Sequence, residues 1–378
     1  MARKARASMA EHPLAFGSFS NWLRLLWEIR DIDRKYIPRL LLVCLSTLLT
    51  SPLRFYERVR YGRIVKRVSI HPSPIFIVGH WRTGTTHLHN LMCQDENLGY
   101  LSTFQASAPG MGLVGEKTIK PPLAMIARRL HPTREIDNIP LSFDAPEEED
   151  LAIANLSPYS FLHLYTFPRQ APYFFEKFAL LNDLPEGILA EWKEIYLTVL
   201  RKSTLKSGGK RLVVKNCADS GRIEKLLDMF PDAKFIHIYR NPYNVFRSTL
   251  FLYKTVLPWF QVQDISPDRV EAYVLRFYTL LMQKFLAAKA LIPAGNLVEV
   301  RFEDLEVAPL DQLRHVYEGL GLPGYADAEP ALRTYVDSIS GYEKNEYQVT
   351  DDIIEKVNRH WRFAFDAWGY TPLEPGGV

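Results

Sequence analysis

The chain has 378 residues, 47% hydrophobic and 24% charged, enough to bury the core of one large α/β domain or two smaller ones. Its 46 basic and 43 acidic residues leave a net charge of +3, which argues against a general nucleic-acid binder and leaves room for a local basic pocket. Three cysteines, Cys44, Cys93 and Cys217, are odd in number and lack metal-ligand spacing, so a reducing, cytoplasmic setting is expected rather than a disulfide framework.

The opening stretch "MARKARASMAEHPLAFGSF" is basic but lacks the apolar core of a signal peptide. Residues 1–70 read as a helical N-terminal extension, with apolar residues at mixed three- and four-residue spacings from Trp22 to Ile29 and from Leu40 to Leu49. The run "LLLVCLSTLLTSPL" (Leu40–Leu53) is shorter than the roughly 20 residues that cross a bilayer. Its expected place is a buried helix. A second reading lays residues 19–60, with Trp22, Trp27 and many arginines, on the inner surface of a membrane.

Next comes "SPIFIVGH", a compact β-branched and aromatic run that ends at glycine and predicts a short buried strand. The following residues, "GHWRTGTTHLHNL", nearly have the spacing of a phosphate-binding loop: Gly79, four residues, Gly84, then Thr85 and Thr86. From Thr86 to Cys93, Leu88, Leu91 and Met92 share one helical face. Strand, glycine turn and helix thus follow in the order that points backbone N–H groups at an anion. A nucleotide triphosphatase has lysine where Thr85 stands, to reach the β and γ phosphates, and a later acid for Mg²⁺. Neither is evident here. The expected ligand is therefore a single phosphate, held by main-chain donors, hydroxyls and Arg82. His87 and His89 are two apart on the helix and face different ways, so no metal pair is expected.

Residues 100–180 have weak periodicity, many prolines and the acidic cluster "DAPEEED", and read as a loop-and-helix insertion. Alternation then resumes: "RLVVKN" as strand, "SGRIEKLLDMF" as helix, "PDAKFIHIYRN" as strand, "NLVEVRFEDL" as strand and "PLDQLRHVYEGLGL" as helix. Such alternation predicts an α/β fold, a central parallel sheet with helices on both faces. Lys215 ends one strand, at the carboxyl edge where α/β ligands bind. In "YRNPYNVFRS", Arg240 leaves the next strand and Pro242 opens a helix that carries Ser248, a pair able to clamp a second phosphate.

A strand with a Gly-Thr-Thr loop followed downstream by Arg-Asn-Pro…Ser resembles the sulfotransferases that use 3′-phosphoadenosine 5′-phosphosulfate (PAPS). The resemblance covers about residues 70–368 and is closest to the bacterial branch written around "GHWRTGTTHLHNL" and "FPDAKFIHIYRNPYNVF". It implies a P-loop-like sulfotransferase fold over 71–378, with 100–180 on the acceptor side. It also implies that Arg82, Thr83, Gly84, Thr85 and Thr86 grip the 5′ side of PAPS, and that Arg240 and Ser248 hold the 3′ phosphate. PAPS has no β or γ phosphate and the family needs no metal, which accounts for the absent lysine. Where many animal members carry lysine, Arg82 keeps the charge and adds a fork of donors.

Family members use Glu or His as the base for the acceptor hydroxyl, and Glu148 best matches the acidic position; the competing expectation is a solvated acidic helix start. Lys215 is a candidate to neutralise charge on the transferring group, and His80 is a second candidate base. Lys344, in "GYEKNEYQV", stands where a late basic loop of the family closes over the nucleotide. Trp361, Phe365 and Trp368 recur at helical spacing and are expected to pack. "LSPYSFLHLYTFPRQAPYFF" suggests either an apolar pocket wall or core. The wall reading points to a hydrophobic alcohol, lipid or sterol acceptor. Two rivals remain at this stage: a metal-dependent nucleotide kinase on the same fold, and a non-catalytic nucleotide-binding member.

Overall fold

The structure, a computed structural model, describes residues 12–130, 133, 141–339 and 349–376. The chain divides into two compact units. One draws on Met1–Val68, Leu101–Lys206 and Leu252–Pro267; the other draws on Ser69–Tyr100, Ser207–Phe251 and Asp268–Val378.

The second unit contains the sheet. Its strands are β1 (Ile75–Gly79), β2 (Leu98–Gly99), β3 (Arg211–Lys215), β4 (Lys234–Tyr239) and β5 (Leu297–Arg301), in the order β2-β3-β1-β4-β5. Every pairing is parallel. The strands read as continuous apolar runs because both faces are covered. Ile75 and Ile77 of β1 and Ile236 and Ile238 of β4 join Leu88, Leu91, Val316 and Leu332 in a fully buried core. The alternate residues face the other way, where Phe76 packs on Phe230 and His237 stacks 4.0 Å from Phe285. The fold is the expected α/β architecture with a parallel sheet. β2 had no counterpart in the sequence reading, since two residues are too few to show a period.

The first unit is helical. Its N-terminal helices are α1 (Phe19–Glu28), α2 (Ile37–Leu49) and α3 (Ser51–Arg67). His12 ties the start of the described chain down: its ring lies edge-on to Trp22 at 5.3 Å, and Nε2 is 2.9 Å from the Phe260 carbonyl. The buried-helix expectation for Leu40–Leu53 is corrected here. Leu40 and Val43 are buried, but Leu41, Leu42, Leu45, Leu48 and Leu49 are exposed. Leucine occupies seven of the fourteen positions and falls on every side of the helix, and one helix can turn only part of its circumference inward. In "LSPYSFLHLYTFPRQAPYFF", Phe161, Phe167, Phe174 and Phe175 are core residues of this unit, so of the two readings of that stretch the structure selects core. Trp361 and Phe365 are buried as expected, and Trp368 is half-buried against Tyr239.

Candidate functional site

The register of the sheet sets the site. Gly79 lies opposite Ile238, one residue short of the end of β4, and Ile77 lies opposite Lys215, the end of β3. The loop after β1, Lys215 and Arg240 therefore all leave the sheet at its carboxyl edge, around its central strand. That is where open α/β sheets bind ligands.

The loop needs both of its glycines. Gly79 has φ +148°, and a Cβ there would sit 2.4 Å from the Ile238 carbonyl. Gly84 has φ +98°, and its Cβ would meet the Phe302 ring at 2.2 Å. Gly84 caps α4 (Thr85–Met92), so the loop's last turn presents the helix N-terminus. Between the glycines Arg82 adopts φ +72°, a left-handed conformation uncommon for a branched-off side chain of this size. The turn is held internally: the His80 carbonyl accepts from the Thr83 amide at 3.3 Å and from Thr83 Oγ1 at 2.7 Å. From outside, Ser220 Oγ accepts from the Gly79 amide at 2.8 Å and donates to the Gly79 carbonyl at 3.1 Å.

Arg82 joins the two motifs. Its Nε donates to Ser248 Oγ at 2.8 Å, and its carbonyl accepts from Arg240 NH1 at 3.3 Å. The Arg240 guanidinium also lies 4.2 Å over the Phe302 ring, which fixes its plane. Lys215 is buried at the end of β3, and its Nζ donates to Thr86 Oγ1 at 3.3 Å. Thr85 Oγ1 is 3.6 Å from Cys217 Sγ. Arg82, Thr85, Thr86, Lys215, Arg240 and Ser248 are thus assembled in one unit at one sheet edge. The arrangement can accept anions carrying several charges.

His80 is buried against Tyr278, with centroids 4.7 Å apart, and burial pushes its pKa down to about 3. A ring this weakly basic accepts a proton poorly near neutral pH. His89 is likewise buried and lowered to about 3, by desolvation and by the Lys215 charge. Among the described residues no group of three His, Cys, Asp or Glu could hold a metal ion.

Glu148 belongs to the helical unit, as the extended N-cap of the helix Glu149–Leu156. It is half-buried, and its amide donates to Glu147 Oε1 at 3.0 Å. Its neighbours Glu149 and Asp150 are buried, and Asp150 accepts from Ser160 Oγ at 2.9 Å. A wholly solvated acidic helix start is therefore not what is observed. Lys344 lies outside the described residues.

Two contributors were missed in the sequence. Ser220 sits on a 3₁₀ turn, Cys217–Gly221, inside a stretch read as the start of a longer helix; that helix is Ile223–Met229. Phe302, which wedges against Gly84 and Arg240, lies in a segment read as continuing a strand. No local signal marks either, since both act only through contacts with distant segments.

A parallel sheet whose carboxyl edge carries a glycine loop, a helix N-terminus and three cationic side chains defines a P-loop-like α/β protein. The sulfotransferase family model matches residues 74–327. Omega-hydroxy-beta-dihydromenaquinone-9 sulfotransferase Stf3 of Mycobacterium tuberculosis is 33% identical over 370 residues, covering 96% of this chain and 92% of the relative, and the Mycobacterium bovis protein of that name matches equally. In fold, the chain is similar to the sulfotransferase STF1 of Mycobacterium tuberculosis H37Rv, with TM-score 0.66, 18% identity and 90% of each chain covered. STF9 of Mycobacterium avium gives TM-score 0.69 at 18% identity, covering 90% of this chain and 87% of that one. The chain belongs to the sulfotransferase family and is a transferase of sulfur-containing groups on the α/β sulfotransferase fold.

Proposed function

We propose that this sulfotransferase takes its sulfuryl group from PAPS and delivers it to the hydroxyl of an apolar lipid alcohol. The observation that supports the donor is the linkage through Arg82. It couples the loop at the helix N-terminus to Ser248 and Arg240, so that cationic and hydroxyl donors for two separate phosphate groups form one hydrogen-bonded set. In this reading the loop amides, Thr83, Gly84, Thr85, Thr86 and Arg82 hold the 5′-phosphosulfate, and Arg240 and Ser248 hold the 3′ phosphate. Lys344 is proposed to close over the nucleotide.

The acceptor oxygen forms a bond to sulfur while the bond from sulfur to the 5′-phosphate oxygen breaks. Adenosine 3′,5′-bisphosphate leaves, and Glu148 takes the acceptor's proton. Lys215, next to Thr86, offsets negative charge on the transferring group. Alignment and charge stabilisation supply the rate, as in phosphoryl transfer, and no metal is required. All three cysteines are free thiols, which suits a cytoplasmic enzyme.

Support for a lipid acceptor is the 33% identity over 96% of the chain to a relative named for sulfation of an ω-hydroxylated dihydromenaquinone. The test is transfer from ³⁵S-labelled PAPS to a panel of long-chain prenyl alcohols, sterols, simple phenols and sugars. Label on the apolar alcohols is expected. Label confined to sugars would overturn the acceptor, and Mg²⁺-dependent phosphate transfer from ATP without sulfation would overturn the donor.

A further inference from the structure

The surface formed by α2 and α3 is unlike the rest of the chain. An exposed apolar stripe runs through Leu41, Leu45, Leu48, Phe55 and Val59, at alternating spacings of three and four residues across both helices apart from the turn at Pro52. Exposure reaches 69% at Leu49 and 70% at Phe55, and Trp27 of α1 is 76% exposed. A contiguous apolar face of this kind marks an interaction surface, whereas isolated exposed leucines would not.

Its charge identifies the occupant. Between Arg34 and Arg67 there are nine basic residues and one acidic residue, Glu57. Glu57 is buried: Oε1 accepts from Lys202 Nζ at 2.6 Å, and Oε2 accepts from the amides of Leu113 and Val114 at 2.8 and 3.0 Å. The one carboxylate is therefore turned inward, and it anchors α3 to its unit. Arg58, Arg60, Arg63, Lys66 and Arg67 are all exposed. A second copy of the chain would set these arginines against each other with no acid between them. An anionic lipid surface offers apolar depth for the leucines and negative charge for the arginines together.

The helices lie on such a surface rather than cross it. By length and composition the helical run Arg34–Arg67 could cross a bilayer, and what keeps it at the surface is its packing in the fold. Arg39, Leu40, Val43 and Thr47 of α2 are already buried in the protein, and Arg39 NH1 donates to the Gln261 carbonyl at 3.0 Å. One face is committed to the fold and the opposite face is open.

We propose that the outer face of α2 and α3 is a docking surface for anionic lipid bilayers. The inference does not depend on the donor or the acceptor, because binding to vesicles is measured without turnover. Flotation of the full chain with phosphatidylcholine vesicles, with and without phosphatidylglycerol, is the test. Association is expected only with phosphatidylglycerol and should weaken with added salt. Replacing Arg58, Arg60 and Arg63 together by Gln should weaken it on the order of a hundredfold. Leu45→Ser/Leu48→Ser/Phe55→Ser should abolish it, while the circular dichroism spectrum and the melting temperature stay close to those of the wild type and report a folded chain. Wild-type protein that ignores phosphatidylglycerol vesicles overturns the proposal. So does a wild-type dimer in gel filtration that the serine variant converts to monomer without any vesicle binding, since the face is then a contact between copies.

Discussion

Arg240→Ala separates the two phosphate positions. In the proposed complex its guanidinium donates to the 3′ phosphate, a charge-assisted hydrogen bond whose loss costs about 1.5–3 kcal/mol. At about 1.4 kcal/mol per decade, affinity for adenosine 3′,5′-bisphosphate should fall roughly 10- to 150-fold. AMP has no 3′ phosphate, so its affinity should change by less than about threefold. The free protein also feels the change, because Arg240 lies 4.2 Å over Phe302 and donates to the Arg82 carbonyl at 3.3 Å. Losing a cation–π contact and one hydrogen bond should destabilise the fold by about 1–2 kcal/mol, a melting-point drop of a few degrees. Calorimetric titration of both nucleotides against wild type and Arg240→Ala, alongside a melting curve, reads both effects. Equal loss of affinity for AMP and the bisphosphate would show that Arg240 only supports the loop, and the two-phosphate reading would fail.

Glu148→Gln keeps the shape of the side chain but accepts no proton, so turnover should drop by about 10²–10⁴ while bisphosphate affinity is retained; full activity moves the base elsewhere. Sulfation should continue in excess EDTA, and loss of turnover restored by Mg²⁺ would contradict the metal-free mechanism. Stability should depend on acidity through four buried rings: His12, His80 and His89 are lowered to about 3 and His163 to about 4, chiefly by desolvation. The unfolded chain protonates each near pH 6.5 and the folded chain does not, so stability is full above that pH and declines below it. The decline is up to about 1.4 kcal/mol per ring per pH unit. Thermal melts should fall steadily from about pH 7 to about pH 5, and a flat profile refutes the assignment of neutral buried rings.

Some of the protein is written locally. The run Ile75–Val78, Gly79 and Gly84 state a strand and a tight turn, because β-branched residues favour extended backbone and only glycine tolerates the close approach of Ile238 and Phe302. The order of strands and helices gives a parallel sheet, and the register of that sheet carries Lys215 and Arg240 to the edge where the loop ends. Those residues could be named from sequence because each stands at the end of a recognisable strand.

Other features exist only once distant segments meet. Nothing near Arg82 in sequence says that its side chain will reach Ser248, 166 residues away, or that Ser220 will brace Gly79 from 141 residues away. Leu40–Leu53 shows the same limit from the opposite side. Its composition states that the segment is apolar, but an apolar helix has no intrinsic inside, and which leucines are covered depends on what the rest of the unit offers. Here the fold covers Leu40 and Val43, pulls Glu57 inward, and leaves Leu41, Leu42, Leu45, Leu48 and Leu49 exposed. Burial is a relation between surfaces, so one segment's sequence cannot fix it.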